Sequence, residues 1–126
     1  MSKKSISPIL TETELELMTH LWELGGGTVR EVLALLPSER KMAYTSASTI
    51  LRILEQKKVL VSEKQGKAHI YKPVIQKQDY EATTLNHVIK SVFADTPSQL
   101  VKRLVNSDQL SAEEREEIRR IISEEL

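Results

Sequence analysis

The chain has 126 residues, 40% hydrophobic and 29% charged, a balance that fits one soluble globular domain or two very small ones. No apolar run of about 18 residues exists to span a membrane, and the opening MSKKSISPIL carries lysines but no apolar signal-peptide core. Cysteine is absent, which removes disulfides, thiolate metal sites and cysteine catalysis together and leads us to expect a cytoplasmic setting.

The net charge of zero hides a split. Met1 to Ile75 holds 11 Lys and Arg against 8 Asp and Glu, whereas Gln76 to Leu126 holds 7 against 10. Within the first part, Ser38 to Ile75 has 8 basic and 3 acidic residues, a local charge of +5. Such asymmetry points to an anionic partner for one part of the molecule.

Thr11-Glu-Thr-Glu14 is a capping box, and Leu15, Met18, Leu21 and Trp22 follow at helical spacing, predicting a first helix over Thr13 to Leu24. Gly25-Gly26-Gly27 ends it. The triplet lacks both the GxGxxG spacing and the Lys-Ser/Thr of a phosphate-binding loop, so it reads as a turn. Thr28-Val-Arg-Glu31 is a second capping box and opens a helix from Val29 to about Leu36, stopped by Pro37.

The third helix, expected from a Thr45 cap to about Lys57, has an unusual composition. Ala47, Ile50, Leu51 and Leu54 form an apolar stripe. The opposite face begins with Thr45, Ser46, Ser48 and Thr49 and continues with Arg52, although small hydroxyl residues are poor helix formers on a solvent face. The hydrophobic period then changes from 3.6 to 2. Val59 to Glu63 and Ala68 to Lys72 read as two strands joined around Gln65-Gly66 and closed by Pro73. Residues 1–75 thus read as three helices and a hairpin, a winged helix-turn-helix.

From Gln76 onward the pattern is helical only. Asp79 to Phe93 carries Tyr80, Leu85, Val88, Ile89, Val92 and Phe93. Thr96-Pro97-Ser98-Gln99 is a helix start, with Thr96 as N-cap and Pro97 at the first position, preceding Leu100, Val101, Leu104 and Val105. Ser111-Ala-Glu-Glu114, a third capping box, opens a last helix with Ile118, Ile121, Ile122 and Leu126. About 50 residues rarely build a sufficient core alone. Burying these stripes against a second copy of the chain is the simplest solution, with Leu85, Val88, Val92, Leu100, Val101, Leu104, Ile118, Ile121 and Ile122 at the interface. The expected architecture is therefore mainly α: a winged helix-turn-helix domain over 1–75 and a three-helix dimerisation region over 76–126.

A helix that enters the DNA major groove needs short polar side chains near bases and phosphates. Ser and Thr hydroxyls meet that need, and Arg reads guanine in bidentate fashion. Thr45, Ser46, Ser48, Thr49 and Arg52 fit this role. Lys64 and Lys67, flanking Gly66 at the hairpin tip, are placed to grip a neighbouring phosphate, and Arg40 and Tyr44 to anchor the helix to the backbone.

At these residues the chain resembles the penicillinase-repressor family, the BlaI/MecI group, to which copper-responsive repressors are related. The matching pieces are Leu21-Trp22 with a glycine soon after, Thr28-Val-Arg-Glu-Val32, Ala43-Tyr44-Thr45 with Thr49-Ile50-Leu51, and the wing ending Tyr71-Lys72-Pro73. The C-terminal VFADTPSQLVKRLVNSDQLSAEEREEIRRII resembles the family's dimerisation region. The resemblance implies a homodimeric transcriptional repressor on a palindromic operator with TACA/TGTA-like half-sites, controlling β-lactam resistance or related genes. It also implies release by a membrane sensor protease that cuts in the dimerisation region. The aligned position is Arg103-Leu104, where the best-known type has Asn-Phe. Ala47 and Ser48 stand where members often carry larger apolar residues, so the operator sequence does not carry over. The Cys-x-Cys of copper-responsive relatives has no counterpart in a chain without cysteine.

No other chemistry competes. His20, His69 and His87 are scattered, without metal-ligand spacing. Glu113, Glu114, Glu116 and Glu117 are a dipole-favoured, solvated helix start. No nucleophile and base pair or nucleotide loop is present, so neither enzyme activity nor a cofactor is expected. The competing class is a winged helix used for protein–protein contact without specific DNA binding, in which Ser46, Thr49 and Arg52 would face a protein and binding would depend weakly on salt.

Overall fold

Helix α1 (Glu12–Leu24) starts where Thr11 and Glu14 cap one another: the Glu14 N–H donates to Thr11 Oγ1 at 3.1 Å and the Thr11 N–H to Glu14 Oε1 at 2.9 Å. It ends at Gly25, in the left-handed region (φ 77°) that glycine reaches without steric cost. The computed structural model in which these elements are seen describes residues 9–125; Lys3 and Lys4 at the start and Leu126 of the last apolar stripe lie outside them.

Thr28 and Glu31 repeat the reciprocal cap at the start of α2 (Val29–Ala34), which is shorter than the sequence suggests because Leu35 already serves as its C-cap. Helix α3 (Tyr44–Gln56) corrects one expectation. Thr45 is not its cap. The cap position is Ala43, which has no side chain able to accept, and the helix begins one residue before Thr45. At the other end Lys58 takes the left-handed conformation (φ 69°), and the Lys58 and Val59 N–H groups donate to Glu55 and Leu54 carbonyls, a Schellman closure with lysine in the usual glycine position.

Strands β1 (Leu60–Gln65) and β2 (Ala68–Pro73) pair antiparallel, with Gln65 opposite Ala68 and Gly66-Lys67 as the two-residue turn. Gly66 supplies the positive φ of 61° that the turn needs. The chain at Gly27 also exchanges both backbone bonds with Tyr71, at 2.9 and 2.8 Å, tying the glycine turn to the wing. That approach is close enough that a side chain at Gly26 would meet Lys72 Cγ and the Tyr71 carbonyl at 3.1 and 3.2 Å.

The core joins one stripe of each helix to the base of the hairpin. Leu17, Met18 and Leu21 from α1, Val29 and Val32 from α2, and Ala47, Leu51 and Leu54 from α3 close over Leu60 and Tyr71. Two compact units result, one running to Thr84 and one from Leu85. The sequence break after Ile75 falls earlier because Tyr80, near the start of α4 (Lys77–Val92), packs into the first unit. Its hydroxyl accepts the buried Leu10 N–H at 3.0 Å, and its ring lies 5.8 Å from that of Trp22, whose indole N–H donates to the Ile75 carbonyl.

The second unit comprises the end of α4, α5 (Pro97–Val105) and α6 (Ala112–Glu125). Thr96 is the N-cap position and Pro97 the first position of α5, as the sequence predicts, but the Thr96 hydroxyl donates to the Ala94 carbonyl and makes no side-chain cap to the helix. At α6 one half of the expected box is made, the Glu114 N–H donating to Ser111 Oγ at 3.1 Å. No residue of α5 or α6 is buried. The architecture is thus mainly α, a winged helix-turn-helix followed by C-terminal helices.

Candidate nucleic-acid interface

The buried side of α3 fixes what its other side can do. With Ala47, Leu51 and Leu54 turned into the core, the 100° step of an α-helix puts Thr45, Thr49 and Arg52 opposite them, within about 60° of one another. All three are exposed. Tyr44 and Ser48 lie on the flank toward the wing, and Ser46 on the other flank. Nothing in the described residues uses the hydroxyls of Thr45, Ser46, Ser48 or Thr49. In α1 and α4, by contrast, Thr19 and Ser91 donate to the carbonyls of Leu15 and His87, four residues back. The α3 hydroxyls are free for an external partner, and Thr45 is free because it is not a cap.

The wing changes character along its length. Leu60 and Tyr71 are buried at its base, whereas Glu63 to His69 are exposed, so Lys64 and Lys67 stand on a protruding tip. The Ser62 hydroxyl donates to Glu55 Oε2 at 2.7 Å, fastening the base of the wing to α3. Tyr71 sits at this junction. Burial, followed by the nearby Glu55 carboxylate, pushes its phenol above the ordinary value against the opposing pull of Arg52.

Ion pairs sort the basic residues of this unit. Lys57 is held by Glu14, Lys72 by Glu63, and Arg40 by Glu16, whose two oxygens both accept from Arg40 Nε at 3.1 Å. Arg40 Nη1 also donates to the Lys41 carbonyl. Of the nine residues expected to meet DNA, Arg40 is therefore the one whose charge is already countered, while Arg52, Lys64 and Lys67 have no ion pair among the described residues.

Between α2, α3 and the wing lies a groove of about 380 Å³ lined by Thr28, Arg30, Tyr44, Ser48, Lys67 and His69. It brings together Tyr44, Ser48 and Lys67 from the sequence reading and adds Arg30, which that reading missed. The guanidinium of Arg30 lies 5.2 Å from the centre of the Tyr44 ring, a cation–π contact between residues 14 positions apart. The available signal was an arginine inside a capping box whose Glu31 is already engaged by the Thr28 N–H. No group of three or more His, Cys, Asp or Glu side chains able to hold a metal occurs among the described residues.

A recognition helix with an unspent hydroxyl face and free arginine, followed by a basic wing, defines a winged-helix DNA-binding transcriptional regulator. The chain belongs to the penicillinase repressor family, whose model matches residues 10–124. It is 27% identical to the penicillinase repressor of Bacillus licheniformis over 117 residues, 93% of this chain and 91% of that protein. It is 28% identical to the transcriptional regulator BlaI of Mycobacterium tuberculosis over 116 residues, 91% of this chain and 83% of that one. The solution structure of the DNA-binding domain of the repressor BlaI superposes with a TM-score of 0.51 at 29% identity, over 58% of this chain and 89% of that domain.

Proposed function

We propose that the chain represses transcription as a homodimer, each copy placing α3 in the major groove of one half of a two-fold symmetric operator. The observation that carries the reading is the α3 face itself: Thr45, Thr49 and Arg52 exposed, unpartnered and aligned opposite the core. Arg52 reads a base edge, the hydroxyls contact phosphates or bases, and Lys64 and Lys67 hold the backbone beside the groove. The first unit, 1–75 with the start of α4, binds DNA, and the helices from 76–126 dimerise.

The exposed apolar surface supports the dimer. Leu85, Val92, Val101, Leu104, Ile121 and Ile122 are all 39–68% exposed, and Val88, Leu100 and Ile118 half-buried. Clusters of this kind on one short helical unit mark an interaction surface. By family resemblance the genes controlled include those of β-lactam resistance. Release by a membrane sensor protease would then act on α5, at Arg103-Leu104. No helix among the described residues is long and apolar enough to cross a membrane, and a cytoplasmic, non-enzymatic role fits the reading.

Footprinting on the DNA upstream of the chain's own gene tests it. A dimeric repressor protects two symmetric half-sites whose centres lie a whole number of turns apart, about 34 Å per turn, with two chains per site. Asymmetric protection, or one chain per site at saturation, would contradict it.

A further inference from the structure

We propose that the groove between α2, α3 and the wing is a binding site for a DNA phosphodiester, organised by Arg30, and that Arg30, not Arg40, is the arginine that anchors the recognition helix to the backbone. The inference rests on the DNA-binding reading above and names the contact that reading left open.

Three observations carry it. The Arg30 guanidinium is exposed and makes no hydrogen bond or ion pair among the described residues, so all its donors remain available. Its position is nevertheless set, because it lies 5.2 Å over the Tyr44 ring in the first turn of α3. The nearest carboxylate in sequence, Glu31, is committed to the Thr28 N–H at 2.8 Å. Arg40 shows the reverse on each count: Glu16 takes its Nε with both oxygens, and the Lys41 carbonyl takes Nη1. Releasing Arg40 to a phosphate would first break that pair.

The surroundings suit a phosphate. Thr28, Ser48 and His69 line the same groove as polar groups, and Lys67 brings a second cation from the wing tip. A guanidinium held over an aromatic ring by a cation–π contact keeps its N–H donors free, and arginine binds phosphate oxygens with them in bidentate fashion. A contact of this kind adds affinity without reading sequence.

The experiment is fluorescence anisotropy of the full chain with two duplexes, the DNA upstream of its own gene and a scrambled version, across a sodium chloride series. For Arg30→Ala we expect binding to both duplexes to weaken by the same factor, about five- to tenfold. The slope of log affinity against log salt should become shallower by about 1. Arg30→Lys, which keeps the charge, should retain the slope, and Arg40→Ala should keep the wild-type slope. Unchanged affinity and slope in Arg30→Ala would overturn the proposal, as would a loss confined to the upstream duplex. If wild type binds both duplexes equally but with a steep slope, the specific-repressor reading fails, while the Arg30 comparison still stands on either duplex. Wild type that binds neither overturns both.

Discussion

Glu14 and Lys57 join the start of α1 to the end of α3: Lys57 Nζ donates to the two Glu14 oxygens at 3.0 and 2.8 Å, and the Glu14 side chain is only 8% exposed. The same carboxylate closes the Thr11 capping box. Burial pushes the Glu14 carboxyl up, but Lys57 and the Thr11 N–H outweigh it and hold the group below its ordinary 4.5. Glu14→Ala should therefore destabilise the first unit by about 2–3 kcal/mol, since it leaves the Thr11 N–H without its acceptor and Lys57 without its partner. Urea unfolding followed by the fluorescence of Trp22, the single tryptophan, measures this.

The same pair sets a pH dependence. Because the folded value is the lower one, the stabilisation is complete above 4.5 and is lost as pH falls through the depressed folded value. Glu14→Gln cannot titrate, so its stability should fall less than that of wild type as the pH is lowered from 4.5 through the depressed folded value. Identical pH profiles would show that the pair contributes nothing.

Tyr80 ties the start of α4 to the winged helix through its hydroxyl. Tyr80→Phe keeps the ring beside Trp22 but leaves the buried Leu10 N–H without an acceptor. A loss of about 1–3 kcal/mol in the Trp22 unfolding transition should follow, with little change in the emission of the folded state.

On the recognition helix, Arg52→Ala should cost about 1–3 kcal/mol in binding the upstream duplex and much less on the scrambled one, the mark of a base contact. Undiminished binding would remove Arg52 from the interface.

In the second unit, a charge at Leu104, 39% exposed on α5, should weaken self-association and DNA binding together. Sedimentation measures the first and anisotropy the second. A Leu104→Asp variant that stays dimeric at low micromolar concentration would place the interface elsewhere.

What the sequence makes legible here is local. Thr11 with Glu14 and Thr28 with Glu31 are reciprocal caps three residues apart, and both form as read. The change of period at Val59 and the Gln65-Gly66 pair locate the wing to within two residues. The misses have two physical sources. Cap preference favours Thr45, yet α3 begins at Tyr44 after an alanine that makes no side-chain cap, and Tyr44 in the helix is what meets Arg30. Thr96 does stand at the cap position of α5, but its hydroxyl turns to Ala94 and makes no side-chain cap to the helix. The other source is distance along the chain. Arg40 with Glu16, Lys57 with Glu14 and Tyr80 with Leu10 are 24, 43 and 70 residues apart, and no periodicity encodes them. Those pairs decide which cations remain for DNA and where the first unit ends.

Whether α3 reads a specific DNA sequence, with the wing holding the backbone beside it, decides the function. Anisotropy of wild type with the upstream and scrambled duplexes at several salt concentrations tests it most directly. A helix that reads sequence binds the upstream duplex at least about a thousandfold more tightly than the scrambled one, with affinity falling steeply as salt rises. Equal weak binding to both, or binding that ignores salt, would contradict it and assign the α3 face to a protein partner.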